Sequence, residues 1–143
     1  MTAASGSGRS WRAMPWLLAL YAGASLVHFT HNAEELAQYP QLPASWTRTV
    51  VYLAWCCVTA VGLLGYGLYR RGSVRAGLTV LALYGGLGFG GLLHYTRAPM
   101  AQHSAGMNFT IWAEVAAATL FLICLASVAA SRLRRDTRGF GER

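Results

Sequence analysis

The sequence predicts an all-α membrane protein: four transmembrane helices in an antiparallel bundle, with both termini in the cytoplasm. Three observations carry this. Hydrophobic residues make up 55% of the 143-residue chain and charged residues only 12%, with a mean hydropathy of +0.36. A soluble domain carries about 25% charged residues. Four apolar runs are long enough to cross a bilayer. The twelve cations, all arginine, fall between and beyond those runs. Such a composition argues against a soluble single-domain enzyme, and disorder would require low hydrophobicity. The net charge of +7 and pI of 9.9 would suit a nucleic-acid binder. The arginines instead flank apolar runs in short stretches, so a bilayer is the expected partner and nucleic acid is not.

The length fits one domain, 1–143. The spans lie at about 16–35, 50–69, 76–95 and 108–130. A membrane helix needs roughly 20 residues, at 1.5 Å each, to cross a core of about 30 Å. Spans 2, 3 and 4 reach this outright. Span 1 is fully apolar only to Val27, so it qualifies if its polar end, from His28 to Glu35, remains helical. Arg9 and Arg12 before an apolar run, with Ala22, Gly23 and Ala24 after it, loosely fit a cleaved signal peptide. The length of the apolar region favours a retained span.

Arginine placement sets the orientation. Arg9 and Arg12, then Arg70, Arg71 and Arg75, then Arg132, Arg134, Arg135, Arg138 and Arg143 share one side of a four-span chain. Only Arg48 and Arg97 fall on the other. The positive-inside rule therefore makes the protein N-in and C-in, with residues 131–143 a basic cytoplasmic tail. Cys56 and Cys57 in span 2 differ from Cys124 in span 4 by roughly 15 Å in depth at 1.5 Å per residue. A disulfide needs Cα atoms within about 7 Å, so three free thiols are expected.

The polar residues collect at one end. His28, His31, Glu34, Glu35, His94, His103 and Glu114 all lie toward the outer side. At about 100° per residue, His28, His31 and Glu35 fall within roughly 60° of one another, with Glu34 roughly 60° beyond His31. Water at a helix end would explain the two glutamates but not His28, twelve residues past Trp16. In span 3, the face of His94 continues through Gly91, Gly90 and Leu87, which fits close helix packing or a cavity beside the ring. Glu114 stands about 9 Å down span 4 with Thr110 and Met107 on its face. An acid at that depth is a functional candidate by default; a structural interhelical hydrogen bond is the simpler alternative. His103, with Arg97 nearby, lies in a short loop that can fold over this layer, and Arg97 could neutralise a carboxylate.

The run His31-Asn32-Ala33-Glu34-Glu35 has the His-x-x-Glu-Glu form. With Tyr39-Pro40-Gln41-Leu42-Pro43 and Trp46 downstream, it resembles the HXXEE family of small bacterial membrane proteins. The resemblance covers span 1 and the first outer loop, and implies a bacterial plasma (inner) membrane location. It carries over His31, Glu34 and Glu35 as motif positions and names no reaction.

Several uses fit these residues. His28, His31, Glu35, His94, Glu114 and His103 supply a ligand set for Zn²⁺ or non-haem iron. The paired Glu-x-x-His repeats of dinuclear four-helix proteins are missing, so a mononuclear or looser site fits better. Without a metal, a water-shielded acid with an imidazole relay could protonate an alkene or open an epoxide. Glu114 would be the acid and His94 its partner, with Trp112, Tyr95 and Phe29 facing the cation. The substrate would be a lipid or isoprenoid. Two histidines could instead hold a non-covalent haem b. Finally, the chain could be a non-catalytic subunit of a homo-oligomer or larger membrane complex, its tail on anionic lipid. The leading expectation is a membrane-embedded, metal-assisted enzyme acting on a lipophilic small molecule, with Glu114, His94 and Glu34 as catalytic groups.

Overall fold

A computed structural model describes residues 7–140, with side chains over 12–134. The expected roles of Arg135, Asp136, Arg138, Glu142 and Arg143 concern side chains outside the described residues, as does that of Arg9. The described chain is helical, with no strand among the described residues. Helix α1 is Ser7–Glu34, α2 Arg48–Arg70, α3 Val74–Leu87 and α4 Ala105–Phe140. Short 3₁₀ segments occupy Leu36–Gln38, Gly90–Thr96 and Met100–Gln102. Four stretches are long and apolar enough to span a membrane: Arg12–Glu34, Arg48–Arg70, Val74–Thr96 and Ala105–Arg134. They contain the spans read from the sequence, apart from Glu35, and run a few residues longer. The helix of the basic tail continues α4 without a break as far as Phe140.

Each boundary has a local cause. After Glu34 the chain tightens into the 3₁₀ turn, and Pro40 forces Tyr39 into extended backbone at φ −79°, ψ 117°. Thr47 caps α2, its hydroxyl accepting from the Val50 amide at 3.3 Å. The α2–α3 corner is a Schellman turn: Ser73 N–H donates to Leu68 O, Gly72 N–H to Tyr69 O, and Gly72 takes φ +90°. Ser104 opens α4 by accepting from the Met107 amide at 3.2 Å.

The α-helical geometry expected throughout span 3 gives way at its glycine run. Gly88 and Phe89 donate to carbonyls three residues back, and 3₁₀ winding follows from Gly90. A Cβ on Gly88 would stand 2.5 Å from the Ala118 Cβ and 2.8 Å from the Tyr21 ring. The backbone is therefore pressed against α1 and α4 where its winding changes. The tighter helix keeps Leu87, Gly90, Gly91 and His94 along one cavity.

Helix α1 packs chiefly on α4 and α2 on α3, with α1–α2 and α3–α4 contacts closing the bundle. The core centres on Tyr21, Leu81, Tyr84, Ala118 and Phe121, all 0–1% exposed. The Tyr21 hydroxyl donates to Tyr84 O at 3.0 Å, and the two rings lie 4.5 Å apart. Outward positions are apolar too: Trp16, Leu53, Leu63, Leu93, Phe109 and Ile123 are more than half exposed. Cys56, Cys57 and Cys124 are free thiols.

Where α2 and α3 meet, a Cβ on Gly77 would lie 2.5 Å from the Tyr69 amide nitrogen, whereas one on Gly67 would meet nothing within 4 Å. Overpacking of this kind costs about 1–3 kcal/mol. Gly77→Ala is therefore expected to lower the thermal midpoint in detergent by several degrees, with Gly67→Ala neutral or slightly stabilising. Circular-dichroism melts of the two variants check this contrast.

Candidate functional site

The site begins with His28, three-quarters of the way along α1 and 2% exposed. An imidazole so enclosed needs partners at both nitrogens. Its Nδ1 lies 3.3 Å from Thr110 Oγ1 on α4, and Thr110 donates its own hydroxyl proton to Met107 O at 3.1 Å. Its Nε2 lies 3.1 Å from the Asn32 amide nitrogen and 3.8 Å from Glu114 Oε2. Asn32 is one turn further along α1, and its amide nitrogen also lies 3.5 Å from His94 Nε2. The His28 and His94 rings stand 5.9 Å apart, centre to centre. Gly91 makes room for this approach, since a Cβ there would be 3.3 Å from His28 Nε2.

Glu114 is 2% exposed. Its nearest ion-pair partner is His28, beyond hydrogen-bond distance. Ser25, fully buried beside it, has no hydrogen bond of normal geometry.

These groups form the polar end of a pocket of about 330 Å³, the small end of the size range for ligand sites. His28, Asn32, His94, Glu114 and Arg97 are its polar wall; Phe29, Leu42, Trp46 and Val51 represent the apolar remainder. The loop after α1 supplies Tyr39, Leu42 and Trp46, aromatic and aliphatic surface that no helical periodicity would place here. Arg97 holds that loop by donating to Gln41 O at 3.3 Å, where Gln41 sits at φ +54°.

The structure thus brings His28, His94 and Glu114 together on one cavity, whereas His31, Glu34, Glu35 and His103 do not line it. His31 Nδ1 is hydrogen-bonded to Tyr39 Oη at 3.0 Å, and the far side of its ring abuts Gly106. Burial, reinforced by the Glu35 carboxylate, holds the Tyr39 phenol above its ordinary range, so it keeps its proton. Glu34 accepts from Tyr52 Oη at 2.8 Å and pairs with Arg48 at 2.7 Å, partly in solvent. Glu35 accepts from Gln38. The Glu35 amide still donates to His31 O at 3.0 Å, but its side chain does not line the pocket. His103 meets Tyr95 edge to face, ring centres 5.2 Å apart, and its Nδ1 lies 3.1 Å from Pro99 O. Tyr95 donates to Asn108 and stacks on Trp112, so of the three expected cation-facing aromatics only Phe29 lines the pocket.

Among the described residues, no three His, Cys, Asp or Glu side chains converge closely enough to hold a metal ion. Asn32 was missed in the sequence although its signal was present: it is four residues after His28, on the same helical face.

What the fold and site define is a helical bundle with four membrane-length helices around a buried imidazole–carboxyl pair. Comparison of the chain with protein-family models, curated proteins and solved structures gives no match.

The interhelical bond from His28 to Thr110 is buried, whereas the Glu34–Arg48 pair is part-exposed. Thr110→Val is expected to cost on the order of 1 kcal/mol, the upper part of the range for interhelical hydrogen bonds in membranes. Glu34→Gln should stay within about 0.5 kcal/mol. Reversible unfolding in mixed micelles distinguishes the two.

Proposed function

We propose that this protein is an acid–base enzyme, an isomerase or cyclase of lipophilic alkenes, set in the extracytoplasmic half of a bacterial plasma membrane. The observation that carries the reading is the 3.8 Å separation of His28 Nε2 and Glu114 Oε2 at the polar end of an otherwise apolar pocket. An apolar pocket selects an apolar substrate. A carboxylic acid and an imidazole beside it can deliver a proton to one carbon and remove one from another. In a double-bond shift, the Glu114 carboxyl gives its proton to one alkene carbon. His28 Nε2 then takes a proton from the carbon beyond it. Transfer of that proton from His28 back to Glu114 restores both groups, so no proton is gained or lost. Phe29, Tyr39 and Trp46 offer ring faces to the cation formed in between.

In the same reading the bundle is antiparallel, with both termini cytoplasmic, as the ten-to-two arginine division supports. Membership of the HXXEE family is part of the proposal, supported by His31, Glu34 and Glu35 in their His-x-x-Glu-Glu spacing. These three would build the rim, through Tyr39, Tyr52, Arg48 and Gln38, while His28 and Glu114 handle protons.

The chemistry is tested in nanodiscs prepared in D₂O, with a panel of unsaturated isoprenoid hydrocarbons and alcohols. Wild-type protein is expected to introduce deuterium into at least one of them. Glu114→Gln and His28→Gln should each slow incorporation by about 10²-fold or more. The double variant should be no slower than either single one, because groups acting as a unit are non-additive. Equal incorporation by wild type and Glu114→Gln would reject the reading. Absence of incorporation, with about one transition metal per chain, would transfer the site to metal-assisted chemistry.

The topology has its own test. Cysteine at Ser104 should react with an impermeant thiol reagent added outside, and cysteine at Ser73 should not. These are to be introduced into a chain with Cys56, Cys57 and Cys124 replaced by alanine. The reverse labelling would invert the orientation.

A further inference from the structure

The acid–base reading requires His28 to present an unprotonated nitrogen to Glu114, and a neutral imidazole has two ways to carry its proton. We propose that Asn32 is the positioning residue that makes this choice, holding the His28 proton on Nδ1 and leaving Nε2 unprotonated beside Glu114. The proposal rests on the acid–base reading for its consequence, but its physical content is a tautomer that can be observed without any substrate.

The hydrogen-bond network supports this assignment from both sides. Thr110 has a single hydroxyl proton, which it donates to Met107 O at 3.1 Å. With that proton on the carbonyl, Thr110 meets His28 Nδ1, 3.3 Å away, as an acceptor, and Nδ1 carries the hydrogen. On the other side, the Asn32 amide nitrogen is a donor with two hydrogens. It reaches His28 Nε2 at 3.1 Å and His94 Nε2 at 3.5 Å. A donor facing each Nε2 favours the form in which that nitrogen has no proton. One carboxamide thereby sets two imidazoles to the same tautomer.

The remaining oxygen of Asn32 is buried and has no hydrogen-bond partner. A side chain placed only to tie helices together would use that acceptor. Leaving it unpaired carries a desolvation cost, which is explicable if the amide hydrogens are what the site needs. The oxygen has a use once His28 has taken a proton on Nε2. Rotation of the carboxamide by half a turn would present Oδ1 as an acceptor to the new N–H. Asn32 can thus hold either state of the ring, whereas an aspartate could only accept.

The experiment uses the full chain in nanodiscs with ¹⁵N-labelled histidine. The His28 resonances are assigned by their disappearance in His28→Gln. In the wild type, His28 is expected to show a protonated-type Nδ1 and an unprotonated-type Nε2. Asn32→Asp should reverse this pattern, and Asn32→Ala should give a mixture, each with an unchanged gel-filtration profile. In the deuterium assay, Asn32→Asp should lose activity about as fully as His28→Gln, since a base with its proton on the wrong nitrogen is no base.

A wild-type His28 protonated on Nε2 overturns the proposal by itself, even if neither variant folds. So does a folded Asn32→Asp that retains the wild-type pattern. A reversed tautomer in Asn32→Asp, together with no deuterium incorporation by any protein, would uphold the role of Asn32 and reject the acid–base function. Activity loss with no change in tautomer would do the opposite.

Discussion

The site depends on one imidazole being satisfied at both nitrogens while it is almost wholly buried. His28 is joined to α4 through Thr110 and to its own helix through Asn32, with the carboxyl of Glu114 just beyond hydrogen-bond reach. An unpaired polar group in such surroundings costs far more than an ordinary hydrogen bond returns. The ring is therefore fixed in place, and the elements that supply its partners are fixed relative to one another. Helices α1 and α4, which share the most extensive contact in the bundle, meet along the line that includes this bond. Gly91 brings the third segment close enough for His94 to join through Asn32.

The four helices were legible because length and hydropathy are local properties of a sequence, and runs this long and apolar leave no ambiguity about where they lie. Positions on a single helix were legible for the same reason: Thr110, Met107 and Glu114 do share a buried face of α4. Phase arguments failed where the helix itself ended or changed. Glu35 was placed beside His28 by a periodicity that stops at Glu34. The conversion of span 3 to 3₁₀ winding was hidden because a glycine run permits either helix, and contact with Ala118 and Tyr21 accompanies the tighter one. Trp46 and Leu42 could not be placed on the pocket at all. They reach it through a loop whose path depends on Pro40, Gln41 and a hydrogen bond from Arg97, a residue 56 positions away in sequence from Gln41.

The His-x-x-Glu-Glu run divides its work in a way the motif's name does not convey. Its histidine and glutamates lie outside the pocket lining. His31 holds Tyr39, Glu34 holds Tyr52 and Arg48, and Glu35 holds Gln38. Each of these contacts pins the chain where it leaves α1 and turns over the pocket, or pins the start of α2 beside it. The charged members of the motif are thus placed where water can reach them, and their desolvation cost stays small. Asn32, uncharged and therefore cheaper to bury, faces inward to both histidines.

This division bears on how the pocket can be both apolar and reactive. A carboxyl group surrounded by charged neighbours would be locked into an ion pair, and its proton would be unavailable. The two nearby cations have partners of their own. Arg48 is occupied by Glu34, and Arg97 by the carbonyl of Gln41. Beside Glu114 stand the His28 imidazole, a buried hydroxyl on Ser25 and the phenol of Tyr21. Under the proposed function, that isolation is the reason the rim glutamates matter: by engaging Arg48 and shaping the loop, they leave the inner pair to exchange a proton with the substrate rather than with a permanent charge.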